Sequence, residues 1–81
     1  MTNEEILKNI TVFIHDVLEV PDLNVTPETS AADVDEWDSM THIQLISAIE
    51  KSYKIRFALG ELQTLKNVGD MVNLIQKKLN N

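Results

Sequence analysis

Three stretches of this chain place apolar side chains at one interval, and the interval is helical. Leu45, Ile46, Ile49 and Tyr53 follow His42 at i+3, i+4, i+7 and i+11. Val68, Met71, Val72, Ile75 and Leu79 repeat that spacing. Ile6, Leu7, Ile10, Phe13, Ile14, Val17 and Leu18 make a third stripe. A stripe with this period leaves one apolar face per helix, and such a face must be buried against others of its kind.

The spacing predicts helices over 4–19, 39–53 and 68–79. Thr2 or Asn3 suits the N-cap of the first, Asp38 or Ser39 that of the second, and Asn67, with Asp70 at N3, that of the third. Val20-Pro21 stops the first helix, because the residue before a proline is driven out of the helical region. Lys77 and Lys78 close the last helix, where cations favour the dipole. Within 54–66, Ile55 and Phe57 can dock inward. Leu59, Leu62 and Leu65, spaced near three, predict a short helical piece that Gly60 keeps short. Only 5% of the 81 residues are aromatic, with 2 Gly and 2 Pro. That composition suits aliphatic helix packing and not a barrel or sandwich. The expected fold is all-α, a four-helix bundle of three main helices and one short one, forming a single domain over 1–81.

The connection over 20–37 is long for so small a domain. Pro21, Asp22, Asn24, Pro27, Thr29, Ser30 and Asp33 are turn and cap formers. Leu23, Val25, Val34 and Trp37 are spaced too irregularly for a helix and are expected to pin the loop to the core. Thr26-Pro27-Glu28-Thr29 suits a turn with Pro27 at its first position.

Several chemistries are disfavoured. With no Cys there is neither a disulfide nor a thiolate metal site, and His15 and His42 are too far apart in sequence for a zinc site. No stretch has the length of a transmembrane helix. The acidic start Met1-Thr2-Asn3-Glu4-Glu5 is unlike a secretion signal. A cytoplasmic protein without membrane insertion is expected. A net charge of −6 argues against nucleic acid. No Lys or Arg occurs between Lys8 and Lys51, an interval holding Asp16, Glu19, Asp22, Glu28, Asp33, Asp35, Glu36, Asp38 and Glu50. Such a surface steers basic partners, unless it is simply solvated.

Against that background Trp37-Asp38-Ser39-Met40 stands out. Ser39 falls where the second helix begins, so its hydroxyl projects beside unpaired backbone N–H groups and the positive end of the helix dipole. A phosphate is well held in such a place. An ordinary capping serine meets the same positional facts. A hydrolase pairing of Ser39 with His42 lacks the glycines of a nucleophile elbow and the size for a deep pocket. His42 is expected to be half-buried near Ser39, and His15 to lie on the surface. Met40, Gln44, Ser47 and Lys51 mark the outward face of the second helix, with Ile43 on its flank. Met40 either serves a partner there or packs under the loop.

Asp38-Ser39-Met40 followed by Ile43-Gln44-Leu45-Ile46-Ser47-Ala48-Ile49-Glu50 resembles the acyl carrier protein family. Tyr53-Lys54-Ile55-Arg56-Phe57 and Asn67-Val68-Gly69-Asp70-Met71 are similar to its later segments, so the likeness covers nearly the whole chain. It implies a non-catalytic, monomeric, stand-alone carrier. Ser39 would receive phosphopantetheine from coenzyme A through a separate phosphopantetheinyl transferase that recognises Asp38. The arm's thiol would hold acyl groups as thioesters for acyl-loading and acyl-processing enzymes of fatty acid, polyketide or related specialised biosynthesis. Partners would read Met40, Asp35, Glu36, Trp37, Gln44 and Ser47. An aminoacyl or peptidyl cargo, or an unmodified acidic helical adaptor, is the alternative. The family commonly sets several acids along this helix. Here only Glu50 stands there, and the acidity sits in the preceding loop, which favours a dedicated pathway over general fatty acid synthesis.

Overall fold

The computed structural model describes residues 2–62 and 64–80, with Leu59 described in its backbone alone. Four α-helices follow one another: α1 (Asn3–Val17), α2 (Ser39–Tyr53), α3 (Leu59–Leu62) and α4 (Val68–Leu79). One turn of 3₁₀-helix, Ala31–Asp33, interrupts the first loop. No strand occurs among the described residues. α1 packs against both α2 and α4. Its Ile6, Ile10 and Ile14 meet Leu45 and Ile49 from α2 and Val68, Met71, Val72 and Ile75 from α4 in one core. Val34 and Trp37 enter the same core from the loop, and Leu23 and Val25 pack on its margin, as their scattered apolar spacing predicts.

α1 and α4 both begin at a side-chain cap from the residue just before them. Thr2 Oγ1 accepts the Glu5 N–H at 3.2 Å, and the Glu5 carboxylate accepts the Thr2 N–H at 3.1 Å. That backbone bond from Thr2 holds the Glu5 carboxyl below its ordinary pKa. Asn67 Oδ1 accepts the Asp70 N–H at 2.9 Å. These pairings satisfy N–H groups that no helical carbonyl reaches.

One helix end differs from expectation, while α2 and α4 end at residues 53 and 79 as the spacing predicts. α1 stops at Val17 instead of residue 19. Glu19 takes a left-handed φ of 57°, and the Val20 N–H reaches back to the His15 carbonyl at 3.1 Å. α2 ends the same way, with Lys54 at φ 57° and the Ile55 N–H on the Glu50 carbonyl at 3.1 Å. This closure ordinarily uses glycine, since a Cβ is strained at such a φ.

The long loop is stitched to α4. The Thr29 hydroxyl accepts the Thr26 N–H at 2.9 Å, and the Thr29 N–H bonds the Thr26 carbonyl at 3.0 Å, so the turn sits where Pro27 was expected to start it. The Thr29 and Pro27 carbonyls then accept the N–H groups of Val68 at 2.9 Å and Gly69 at 2.8 Å. These are the first two amides of α4, which have no partner inside their own helix. His15 is not the free surface residue expected: its ring Nε2 lies 2.8 Å from the Leu23 carbonyl. A carbonyl only accepts, so Nε2 carries the proton and ties the loop to α1.

After α2, Glu50 Oε2 accepts the Phe57 N–H at 2.8 Å. Glu61 Oε1 accepts the Ala58 N–H at 2.7 Å and pairs with Lys78 Nζ at 2.8 Å. Lys78 also lies 5.7 Å over the Phe57 ring. α3 is therefore held to α4 by charge, and Leu65 just beyond it packs on the core. Lys78, ahead of Ala58, keeps the Glu61 carboxyl below its ordinary pKa.

The two glycines make opposite predictions. A Cβ on Gly60 meets nothing within 4 Å, whereas one on Gly69 lies 3.1 Å from the Pro27 carbonyl oxygen and 3.3 Å from the Pro27 Cβ. Gly60→Ala should raise stability by about 0.5–1 kcal/mol, by restricting the unfolded chain. Gly69→Ala should lose that gain and lower stability, because the added methyl displaces the carbonyl that caps α4. Urea unfolding of both variants beside the parent checks the contrast.

Candidate functional site

The first turn of α2 is fixed by an exchange between two side chains. Asp38 is extended, with φ −111° and ψ −172°. Its Oδ1 accepts the Thr41 N–H at 2.9 Å. Thr41 Oγ1 accepts the Asp38 N–H at 2.9 Å and donates to the Glu36 carbonyl at 2.9 Å. The Thr41 amide, first among several donors, draws the Asp38 carboxyl below its ordinary pKa. Of the two residues expected at the cap, Asp38 takes it. Ser39 then begins the helix exposed, and its hydroxyl has no hydrogen-bond partner among the described residues. The positive end of the helix dipole lies beside it.

Beneath Ser39 sits an aromatic pair. The Trp37 indole N–H donates to His42 Nδ1 at 3.1 Å, and the two rings stack with centroids 6.1 Å apart and 27° between planes. An indole N–H only donates, so Nδ1 is bare and the neutral imidazole carries its proton on Nε2. Burial pushes the His42 pKa down from 6.5, and the bond from Trp37 opposes the charged form in the same sense. Trp37 was expected both to pin the loop to the core and to be read by partners. It is 7% exposed, because its ring fills the core end of the loop, so it supports the expected docking surface from below. Trp37, His42, Ser39, Asp38, Ala31 and Leu65 line an open depression of about 360 Å³.

The outward side of α2 is apolar and uncharged near Ser39. Met40 is 70% exposed and Ile43 65%, and Gln44, Ser47 and Lys51 are exposed with them. Met40 therefore does not pack under the loop. Ile43 is the residue that sequence reasoning undervalued, although its place more than a quarter-turn round the helix from both Leu45 and Ile49 was there to be read. Glu50, the one carboxylate on α2, is taken up by the Phe57 amide. The exposed acids Asp33, Asp35, Glu36 and Asp38 all precede the helix.

This arrangement presents a hydroxyl more than it activates one. With Nδ1 facing Trp37, no carboxylate orients His42 as a base. No cluster of three or more metal-ligating side chains occurs among the described residues. No helix among them is long and apolar enough to cross a membrane.

Comparison with known proteins agrees with a presenting role. Residues 9–75 match the family model described as a phosphopantetheine attachment site. The chain is 33% identical to an acyl carrier protein of Acidothermus cellulolyticus, over 93% of this chain and 89% of that one. It is 32% identical to the meromycolate extension acyl carrier protein of Mycobacterium leprae, over 95% of this chain and 67% of that one. The solution structure of a holo acyl carrier protein from Geobacter metallireducens matches with a TM-score of 0.86 and 50% identity, covering 91% of this chain and 85% of that one.

The bare Nδ1 of His42 carries a pH dependence. As pH falls through 6.5, the unfolded chain takes up a proton that the folded one resists. The stability that a neutral His42 supports is thus complete above that pH and is lost as pH falls below it. Denaturant unfolding between about pH 7.5 and 5.5 should show a larger loss for the parent than for His42→Gln, which has no proton to gain. Equal losses would mean that His42 titrates alike in both states.

Proposed function

The chain belongs to the acyl carrier protein family, and we propose that Ser39 is the residue to which its phosphopantetheine is joined. Members of the family carry groups and leave the chemistry to partner enzymes. The observation that carries the assignment to Ser39 is the cap. Asp38 and Thr41 satisfy each other, which leaves Ser39 exposed with its hydroxyl unpaired inside the matched stretch. In the loading step the Ser39 oxygen bonds to the phosphorus that bears the pantetheine part of coenzyme A. The adenosine bisphosphate part leaves, and the hydroxyl proton passes to a base on the transferase. The arm supplies the thiol that holds an acyl group as a thioester, in a chain with no cysteine of its own.

The residues around Ser39 fit that group. Its exposed hydroxyl opens beside the depression over Trp37 and His42. Met40 and Ile43 give a partner an apolar anchor, flanked by Gln44 and Ser47. Asp35 and Glu36 supply long-range attraction from beyond the start of the helix, and Asp38 the acid next to the serine. A partner then combines an apolar recess for α2 with basic groups facing the loop. The transferase and the enzymes that load and process the acyl group are the partners in this reading. The absence of a free carboxylate on α2 supports service to a dedicated biosynthetic pathway over general fatty acid synthesis.

Incubation with coenzyme A and a broad-specificity phosphopantetheinyl transferase should add the mass of one phosphopantetheine to the parent chain and nothing to Ser39→Ala. No gain in a folded parent would return Ser39 to the role of a plain helix residue. Replacing Asp35 and Glu36 with Lys should slow loading about tenfold at low ionic strength and flatten its salt dependence. Unchanged initial rates would remove the loop from the docking surface.

A further inference from the structure

His42 has one nitrogen committed and one spare. Trp37 holds Nδ1 at 3.1 Å, which forces the proton of the neutral ring onto Nε2. That N–H has no hydrogen-bond partner among the described residues. Ring stacking fixes the imidazole plane, so the spare donor is aimed by a buried indole and does not swing freely. Ser39 and His42 are i and i+3 on α2, a spacing that puts two side chains on neighbouring surface positions. Both line the same depression, together with Leu65 and Ala31. Met40 and Ile43, though exposed, are not among the residues that line that depression.

Resting on the reading of Ser39 as the attachment residue, we propose that His42 binds the phosphodiester of the arm through Nε2–H, with Trp37 setting the tautomer. His42 is then a positioning residue. The bond draws the first atoms of the arm over Trp37, His42 and Leu65 and leaves Met40 and Ile43 clear for a partner. Because a phosphodiester oxygen only accepts, a neutral imidazole of the opposite tautomer offers it nothing. The Trp37 contact thus has a directing consequence as well as a packing one.

The test uses the whole chain, converted to its holo form and confirmed by mass. Failure of that conversion in folded protein overturns the attachment reading, and this proposal with it. With conversion complete, the phosphorus resonance and the imidazole ¹⁵N spectrum decide the role of His42. The His42 Nε2–H proton should move and exchange more slowly on going from apo to holo protein. In holo His42→Gln, whose amide nitrogen stands near the place of Nε2, the phosphorus shift should stay close to the parent value. In holo His42→Asn, which keeps an acceptor for Trp37 but cannot reach the arm, it should move toward the value found in urea. Trp37 fluorescence verifies that both variants remain folded. An imidazole spectrum identical in apo and holo protein, or a phosphorus shift indifferent to His42→Asn, would overturn the proposal.

Discussion

The bundle depends on one ridge. Ile6, Ile10 and Ile14 of α1 are fully buried, and α1 packs against both α2 and α4. In a chain of 81 residues with no disulfide, α1 is the helix that α2 and α4 both pack against, so the loss of one of these side chains is felt by two helices at once. α2 needs this backing because its other side is given over to exposure. A helix that displays Met40 and Ile43 to solvent draws its stability from the opposite stripe, through Leu45, Ile46 and Ile49.

Helix positions were legible in the sequence because apolar period and caps agree. Thr2, Asp38 and Asn67 all cap the helices they precede. The ends of α2 and α4 were legible too, but that of α1 was not, and the backbone device that makes the stops was hidden. Glu19 and Lys54 reverse the chain with a positive φ that neither residue advertises, since the usual mark of such a stop is glycine. The loop anchors were visible as apolar residues out of period, but their partners were not. That Thr29 and Pro27 would meet the amides of Val68 and Gly69 depends on a contact between segments some forty residues apart, which local pattern does not encode. His15 belongs in the same class, bonded to a carbonyl eight positions on.

The site shows the same division. Ser39 was marked by its place at a helix start and by the residues on either side of it. Exposure of Met40 followed from the helical wheel. Trp37 reads both ways, as an anchor pinning the loop to the core and as a contact for partners. Burial decides for the anchor, and the bond to His42 joins loop and helix just below the serine. Glu50 is a second instance. Its place as the one acid on α2 was plain in the sequence, but that it is spent on the amide of Phe57 was not.

The splice between the first loop and α4 bears on how the molecule opens. Two backbone carbonyls of the loop stand in for the missing turn of α4, so the loop cannot lift away while α4 keeps its first amides bonded. Fluctuations that loosen one therefore loosen the other, and the two behave as a single cooperative unit. The start of α2 closes through different bonds, between Glu36, Asp38 and Thr41. Breathing at the α4 end of the loop is thereby insulated from the segment that presents Ser39, and a collision that disturbs one end of the long connection leaves the other end in register.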